Sequence, residues 1–181
     1  MATWNIDPTH TSVEFVVTHM MFTKVRGKFD MLEGTINYDP NNVANSSVNV
    51  TINAASINTG AVDRDNHLRS ADFLNVEKFP HLTFVSTSVT PKSEKQATIT
   101  GDLTIAGVTR TVSFDATFEG TGKNPWGKTV AAFSATTKIN REDFGLTWNV
   151  LLEAGGVLVS KEITINMDVQ AVLVEETQPV S

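Results

Sequence analysis

The sequence predicts an all-β fold, an extended eight-stranded antiparallel barrel, on three observations. Apolar residues recur at every second position in eight separate stretches, the pattern of strands with one buried face. Short segments rich in Gly, Asn, Asp and Pro join most of them, so sequence neighbours pair as antiparallel neighbours. Several stretches exceed the usual five or six residues, and a long, even-numbered meander closes well into a barrel, which removes exposed strand edges. A two-sheet sandwich is the alternative that periodicity leaves open.

The first strand is expected over 12–19, where Val13, Phe15, Val17 and His19 share a face opposite Ser12, Glu14 and Thr18. The second spans 27–39. Its apolar residues change parity, from Phe29 and Met31 to Leu32, Ile36 and Tyr38, and a β-bulge near Met31 to Gly34 absorbs the extra residue within one continuous strand. After an Asn-rich turn, strand 47–57 sets Val48, Val50, Ile52 and Ala54 against Asn49, Thr51 and Asn53.

Residues 59–80 are the one helical interruption, centred on 63–76. Asp63 and Asp65 sit where a first turn favours acid and Arg69 where the last favours base, and Asp65 to Arg69 is an i,i+4 pair. A helix over 63–68 follows, then a brief turn capped by Ser70 and ended by Pro80. A helix this short is marginal alone, so Leu68, Phe73 and Phe79 must dock on the sheet. Arg64, Asp65 and His67 read as salt-bridging residues that pin it, not as an acid-base set.

Leu82 and Phe84 mark strand 81–90, and a charged turn leads to 97–105 with Ala97, Ile99, Gly101, Leu103 and Ile105 alternating. Ala106-Gly107 is a tight hairpin link into 109–119, with Val112, Phe114, Ala116 and Phe118 in register. A Gly-Lys-Asn-Pro-Trp-Gly loop precedes strand 129–139, which carries Ala131, Phe133, Ala135 and Ile139, and 140–156 is the least regular stretch. The last strand is read over 157–172, with Val159, Ile163, Ile165, Met167 and Val169 inward. One domain over 1–174 and a disordered tail over 175–181 complete the organisation.

The inward register is rich in Phe, with ten in the chain against three Trp and one Tyr, and Phe offers a ligand no polar handle. Candidate ligand-binding residues follow from parity alone. They are Phe15, Val17 and His19 on the first strand, then Phe29, Ile52 and Phe84. Ile99 and Leu103, Phe114 and Phe118, and Phe133 and Ala135 come from the next three strands, and Lys161, Ile163, Ile165 and Met167 from the last. His19 and Lys161 are the titratable members, placed either to meet a head group at the mouth or to end a strand in water. Small inward residues at Ala54, Ala97, Gly101, Ala116, Ala131 and Ala135 either open a pore or fit the taper of a filled barrel.

A net charge of -6 without a run of Lys or Arg argues against nucleic acid or an anionic membrane as the main partner. No apolar run is long enough to span a bilayer as a helix. The chain has no Cys and opens without a basic-then-apolar leader, so the cytoplasm is expected, or the periplasm if a leader has been removed. No Gly-x-Ser-x-Gly, His-Glu-x-x-His or phosphate-loop pattern is present, and His10, His19, His67 and His81 lack metal-ligand spacing. Neither metal nor other cofactor is expected.

Six elements in order carry a resemblance: Ile6-Asp7-Pro8-x-His10-x-Ser12-x-x-Phe15; Gly27-x-Phe29; Thr59-x-x-x-x-Arg64-Asp65-x-His67-Leu68-x-Ser70-x-Asp72-Phe73; Pro80-x-x-x-Phe84; Gly101-x-Leu103-Thr104-x-x-Gly107; and Arg141-x-Asp143-Phe144-Gly145. Together they closely resemble the YceI-like family of polyisoprenoid-binding proteins, over roughly Ile6 to Val172. The resemblance implies a lipocalin-like barrel with the helical segment packed on it, a long apolar pore, and binding without catalysis. Many members carry a secretory signal, from which this chain departs. The expected partner is a polyisoprenoid, isoprenoid quinone or fatty-acid-like lipid, with a homodimer left open. A lipid-modifying enzyme using His19 or Lys161, and an interaction module with a filled core, are the competing readings.

Overall fold

The computed structural model describes residues 1–152 and 156–175. Its strand segments are β1 (Ala2–Ile6), β2 (Ser12–His19), β3 (Thr23–Phe29), β4 (Leu32–Tyr38), β5 (Ser47–Asn53), β6 (Ile57–Asn58), β7 (His81–Pro91), β8 (Gln96–Ile105), β9 (Val108–Lys123), β10 (Thr129–Asn140) and β11 (Glu162–Leu173), with helix α1 (Val62–Arg69) between β6 and β7. All pair antiparallel. The hydrogen-bonded order β1-β4-β5-β7-β8-β9-β10-β11 returns to its start because β1 also pairs with β11, and β2, β3 and β6 extend the same wall.

Chain continuity resolves these segments into eight barrel strands, three of them broken. Ala2 to His19 is one strand interrupted by a 3-10 turn, so that β1 pairs with β4 and the end of β11 while β2 pairs with β3 and the middle of β11. Asp7 caps that turn by accepting from Thr9 N at 2.9 Å and Thr9 Oγ1 at 2.6 Å. The sandwich alternative falls, because the strand order has no second sheet.

The wall departs from the sequence reading in several places. β1 was not expected, although Ala2, Trp4 and Ile6 alternate with Thr3 and Asn5; Trp4 and Ile6 are both buried. The parity change after Phe29 is real, but it is not a bulge in one continuous strand. β3 stops at Phe29 and β4 starts at Leu32, and Met31 turns outward while Leu32 takes the inward place. The neighbouring strand breaks at the same level, at Ala54–Ser56, and the two breaks hold each other through Asp30 N to Ser56 O at 3.1 Å and Asn53 N to Met31 O at 2.9 Å. One-residue bulges do occur elsewhere, at Ser86 to Ser88 and at Ala132 to Phe133.

The last strand begins at Glu162 rather than 157, because residues 156–161 are held by isolated bridges and by side chains instead of a continuous ladder. The tail expected over 175–181 lies outside the described residues beyond Glu175. Helix α1 runs a residue further at each end than expected and gives way to turns through Phe79. Ala106 and Gly107, with φ of 48° and 78°, make the two-residue hairpin link of the kind Gly favours.

Candidate functional site

The barrel encloses one elongated cavity of about 560 Å³. Its middle is bounded by inward side chains of every strand, and paired aromatics stiffen it. Phe84 and Phe114 meet edge to face at 5.1 Å, Phe15 and Phe29 lie 5.8 Å apart, and Tyr38, Phe118 and Phe133 cluster with centroids 5.5 to 5.7 Å apart. Edge-to-face and tilted pairs add about 0.5 to 1.5 kcal/mol each beyond their burial. Lining residues reach both ends of the barrel. At one end stand Val43, Ser46 and Ser93 to Gln96; at the other, Thr59, Asp63, Arg64, His67, Trp148, Leu158 and Val159.

Parity places the sequence-derived candidates well, with one exception. Phe15, Val17, His19, Phe29, Ile52, Phe84, Ile99, Leu103, Phe114, Phe118, Phe133, Ala135, Ile163, Ile165 and Met167 all border the cavity. Lys161 does not. It precedes β11, where the alternating register has not begun, and its Nζ lies 3.6 Å from Glu142 Oε2 with the side chain 58% exposed. His19 sits at the helix-side end, bridged to Val159.

The small inward residues divide into two groups. Ala97, Ala116 and Ala135 border the cavity, whereas Ala54 and Ala131 are packed solid. Gly101 makes no room either. A Cβ there would meet Val85 O at 2.4 Å and the Phe84 ring at 2.7 Å, and one at Gly27 would meet the Phe15 ring at 2.2 Å. These glycines are where large rings fit, so the aromatic wall depends on them.

The helix-side end is built by polar side chains bonded to backbone, a device that alternation does not reveal. Arg141 is 2% exposed. Its Nε donates to Ser160 O at 2.8 Å, its Nη1 to Leu146 O at 2.6 Å and Trp148 O at 2.9 Å, and its Nη2 to Val159 O at 3.3 Å. Burial pushes its pKa down while the charge of Glu142 opposes; the guanidinium stays protonated. Asn149 adds a bond from Nδ2 to Val159 O at 2.8 Å.

Helix α1 is anchored in the same manner. Buried Asp65 accepts from Thr59 N at 2.9 Å, Arg64 donates from Nε to Thr59 Oγ1 and from Nη2 to Thr59 O, both at 2.7 Å, and Arg69 reaches Ala55 O and Ile57 O at 2.9 and 3.0 Å. The expected Asp65–Arg69 pair and the salt bridges of Arg64 and Asp65 are not made among the described residues, because both arginines serve backbone carbonyls instead. His67 is the one that pairs with acid, its Nε2 standing 3.0 Å from Asp72 Oδ2, and its ring packs 4.6 Å from Trp148 and 5.1 Å from Phe73. Trp148 and Arg141 as lining residues escaped the sequence reading; the motif Arg141-x-Asp143-Phe144-Gly145 marked the place but not the role.

A closed antiparallel barrel of eight strands, apolar within and plugged at one side by a short helix, defines the lipocalin-like class. Within that class the sequence is specific: the model of the YceI-like domain matches residues 4–171, and the chain belongs to the YceI-like family. A UPF0312 protein of Staphylococcus aureus is 39% identical over 164 residues, covering 90% of this chain and 93% of that one. The crystal structure of a Campylobacter jejuni YceI protein superposes with a TM-score of 0.76 at 33% identity, over 87% of this chain and 90% of the other. Two more distant structures share the fold. Burkholderia cenocepacia BcnA gives a TM-score of 0.81 at 24% identity over 91% of this chain and 98% of its own. A polyisoprenoid binding domain from Saccharophagus degradans gives 0.70 at 14% over 96% and 100%.

Proposed function

We propose that this protein binds a polyisoprenoid, or a comparable long-chain amphiphile such as an isoprenoid quinone, inside the barrel and sequesters or carries it. The observation that supports this is the cavity itself. Its volume of about 560 Å³ falls in the range of about 300 to 1,000 Å³ of small-molecule sites, and it is long and walled by Phe, Ile, Val and Leu. Burial is worth about 0.8 kcal/mol per methylene, so each five-carbon unit adds roughly 4 kcal/mol gross without any hydrogen bond. The polar groups gather at the ends, where a head group would sit. Family membership and the fold shared with a polyisoprenoid binding domain point the same way, to binding rather than catalysis.

Organic extraction of the purified protein followed by mass spectrometry tests the reading. A lipid of isoprenoid or acyl character at near-stoichiometric level is the expected result. Protein that carries no lipid and, once stripped, takes up neither farnesol nor a fatty acid would overturn it.

A further inference from the structure

The tip joining β2 to β3 breaks two local preferences at once. Phe22 is 91% exposed, and Met21 and Met20 beside it are 51% and 43% exposed. Met20 and Met21 also have φ of 55° and 68°, the left-handed region that bulky residues enter only at a cost and that Gly or Asn would occupy more easily. Phe22 is thus held in water, with Met20 and Met21 half exposed beside it, on a turn whose backbone conformation does not favour them. Strain of this sort, once observed, points to function.

The tip has apolar company. A Cβ on Gly156 would stand 2.9 Å from Met21 Sδ, and Leu151, bridged to Val157 in that same loop, is 83% exposed. The patch adjoins the cavity. Met20 N donates to Leu158 O at 2.8 Å, and Leu158 and His19 both border the pore. Outward on β3 follow Lys24, Arg26 and Lys28. Lys28 lies 3.4 Å from Asp30, while Lys24 and Arg26 face Thr18 and Val16 across the ladder and have no acidic partner among the described residues. Two such cations beside the apolar tip stand against a net charge of -6 for the chain as a whole. Trp126, the exposed aromatic of the β9–β10 link, stands alone and does not border the cavity.

We propose that the β2–β3 tip docks the barrel on a lipid bilayer, with Met20, Met21, Phe22 and Leu151 entering the interface and Lys24 and Arg26 meeting anionic head groups. The inference rests on reading the cavity as a lipid site: an apolar chain that reaches the pore from a bilayer here does not cross water.

The test is flotation of the purified full chain with vesicles of phosphatidylcholine, alone or mixed with phosphatidylglycerol. Wild type floats with both and better with the mixture. The triple variant Met20→Asn, Met21→Gly, Phe22→Ser relieves the turn, so its melting temperature is no lower than wild type, yet its partitioning falls at least about tenfold. Lys24→Ser with Arg26→Ser lowers partitioning about tenfold on the anionic vesicles alone. Trp126→Ser changes neither. Wild type that stays in solution, or a triple variant that floats equally well, overturns the proposal. Loss of a dimer in the triple variant without any flotation of wild type would also overturn it, and would assign the patch to a second copy of the chain. Farnesol binding separates this proposal from the reading beneath it. Protein that binds farnesol but never floats loses the docking site and keeps the pore, and protein that floats but binds neither farnesol nor a fatty acid loses the pore and keeps the docking site.

Discussion

The middle of the barrel and its helix-side end enclose the same cavity by opposite means. In the middle, regular ladders satisfy the backbone, and side chains only have to be apolar, inward and of matching size. At the helix-side end residues 145–152 and 156–161 form no barrel strand, and the carbonyls of Leu146, Trp148, Val159 and Ser160 are satisfied by the side chains of Arg141 and Asn149. Apolar burial is distributed over many replaceable residues; at the helix-side end one guanidinium serves four backbone carbonyls. The lesson is that equal burial does not mean equal tolerance to substitution.

Arg141→Met should show this most strongly. It keeps the length of the side chain and removes every donor, leaving buried carbonyls unpaired at about 1 to 3 kcal/mol each before water relaxes them. A loss of about 3 kcal/mol in denaturant stability is expected, with faster amide exchange over 145–152 and 156–161. A midpoint unchanged from wild type would mean that this end holds itself up without Arg141.

In the ladder region the sensitive positions are those where backbone and ring already touch. Gly101→Ala should cost about 1 to 3 kcal/mol by overpacking against Phe84 and Val85. Gly122→Ala, in the same sheet but with open space around the added carbon, should stay within about 0.5 kcal/mol of wild type. Equal effects at the two glycines would show that the rings give way.

Asp7 brings the polar device into the ladder, at the break between β1 and β2. The Thr9 hydroxyl bond and then the His10 bond hold its carboxyl pKa below the ordinary value. A depressed folded-state pKa contributes stability that is full above the unfolded value and is lost as pH falls through the folded one. Asp7→Asn keeps an oxygen that can cap Thr9 N and removes only the charge, so it should destabilise at neutral pH by less than the roughly 1 kcal/mol of a lost cap, and the gap to wild type should close in acid below the ordinary carboxylate pKa. A gap constant with pH would exclude the carboxylate as its source.

Ala135→Phe should leave stability close to that of wild type. Ala135 borders the cavity beside Ala116 on the next strand, so the ring enters empty space. Ligand-free protein should keep its denaturant midpoint to within about 1 kcal/mol, well short of a typical overpacked core, while affinity for a polyisoprenoid analogue drops. Clear destabilisation with unchanged binding would show a wall already packed at that point.

Legibility in the sequence follows the same division. Period-two alternation located the long strands from Ser12 onward and, with them, every candidate lining residue except Lys161. It failed where the backbone leaves the ladder. The break at Asp30–Met31 and the start of β11 at Glu162 are set by hydrogen bonds to Ser56, Arg141 and Asn149, partners far away in sequence. β1 was the exception, since Ala2, Trp4 and Ile6 alternate in the open and Pro8 ends them; five residues gave too short a run to stand out. Arg64, Arg69 and Asp65 were visible as charges, and charge alone suggested ion pairs. Only the fold shows that the nearest acceptors are the carbonyls of the chain entering the helix.

The three interruptions, at Asp7–Thr11, Asp30–Met31 and Ala54–Ser56, lie side by side across three adjacent strands and so form a seam. An unbroken ladder resists widening because every strand must stretch at once, whereas a row of aligned gaps concentrates compliance along one line. The part beyond the seam, β2, β3 and β6, is the part that carries the tip of Phe22 and one flank of the mouth. Protection from amide exchange should accordingly be highest in β8 to β10 and step down across this line. The barrel then has a stiff back and a yielding front.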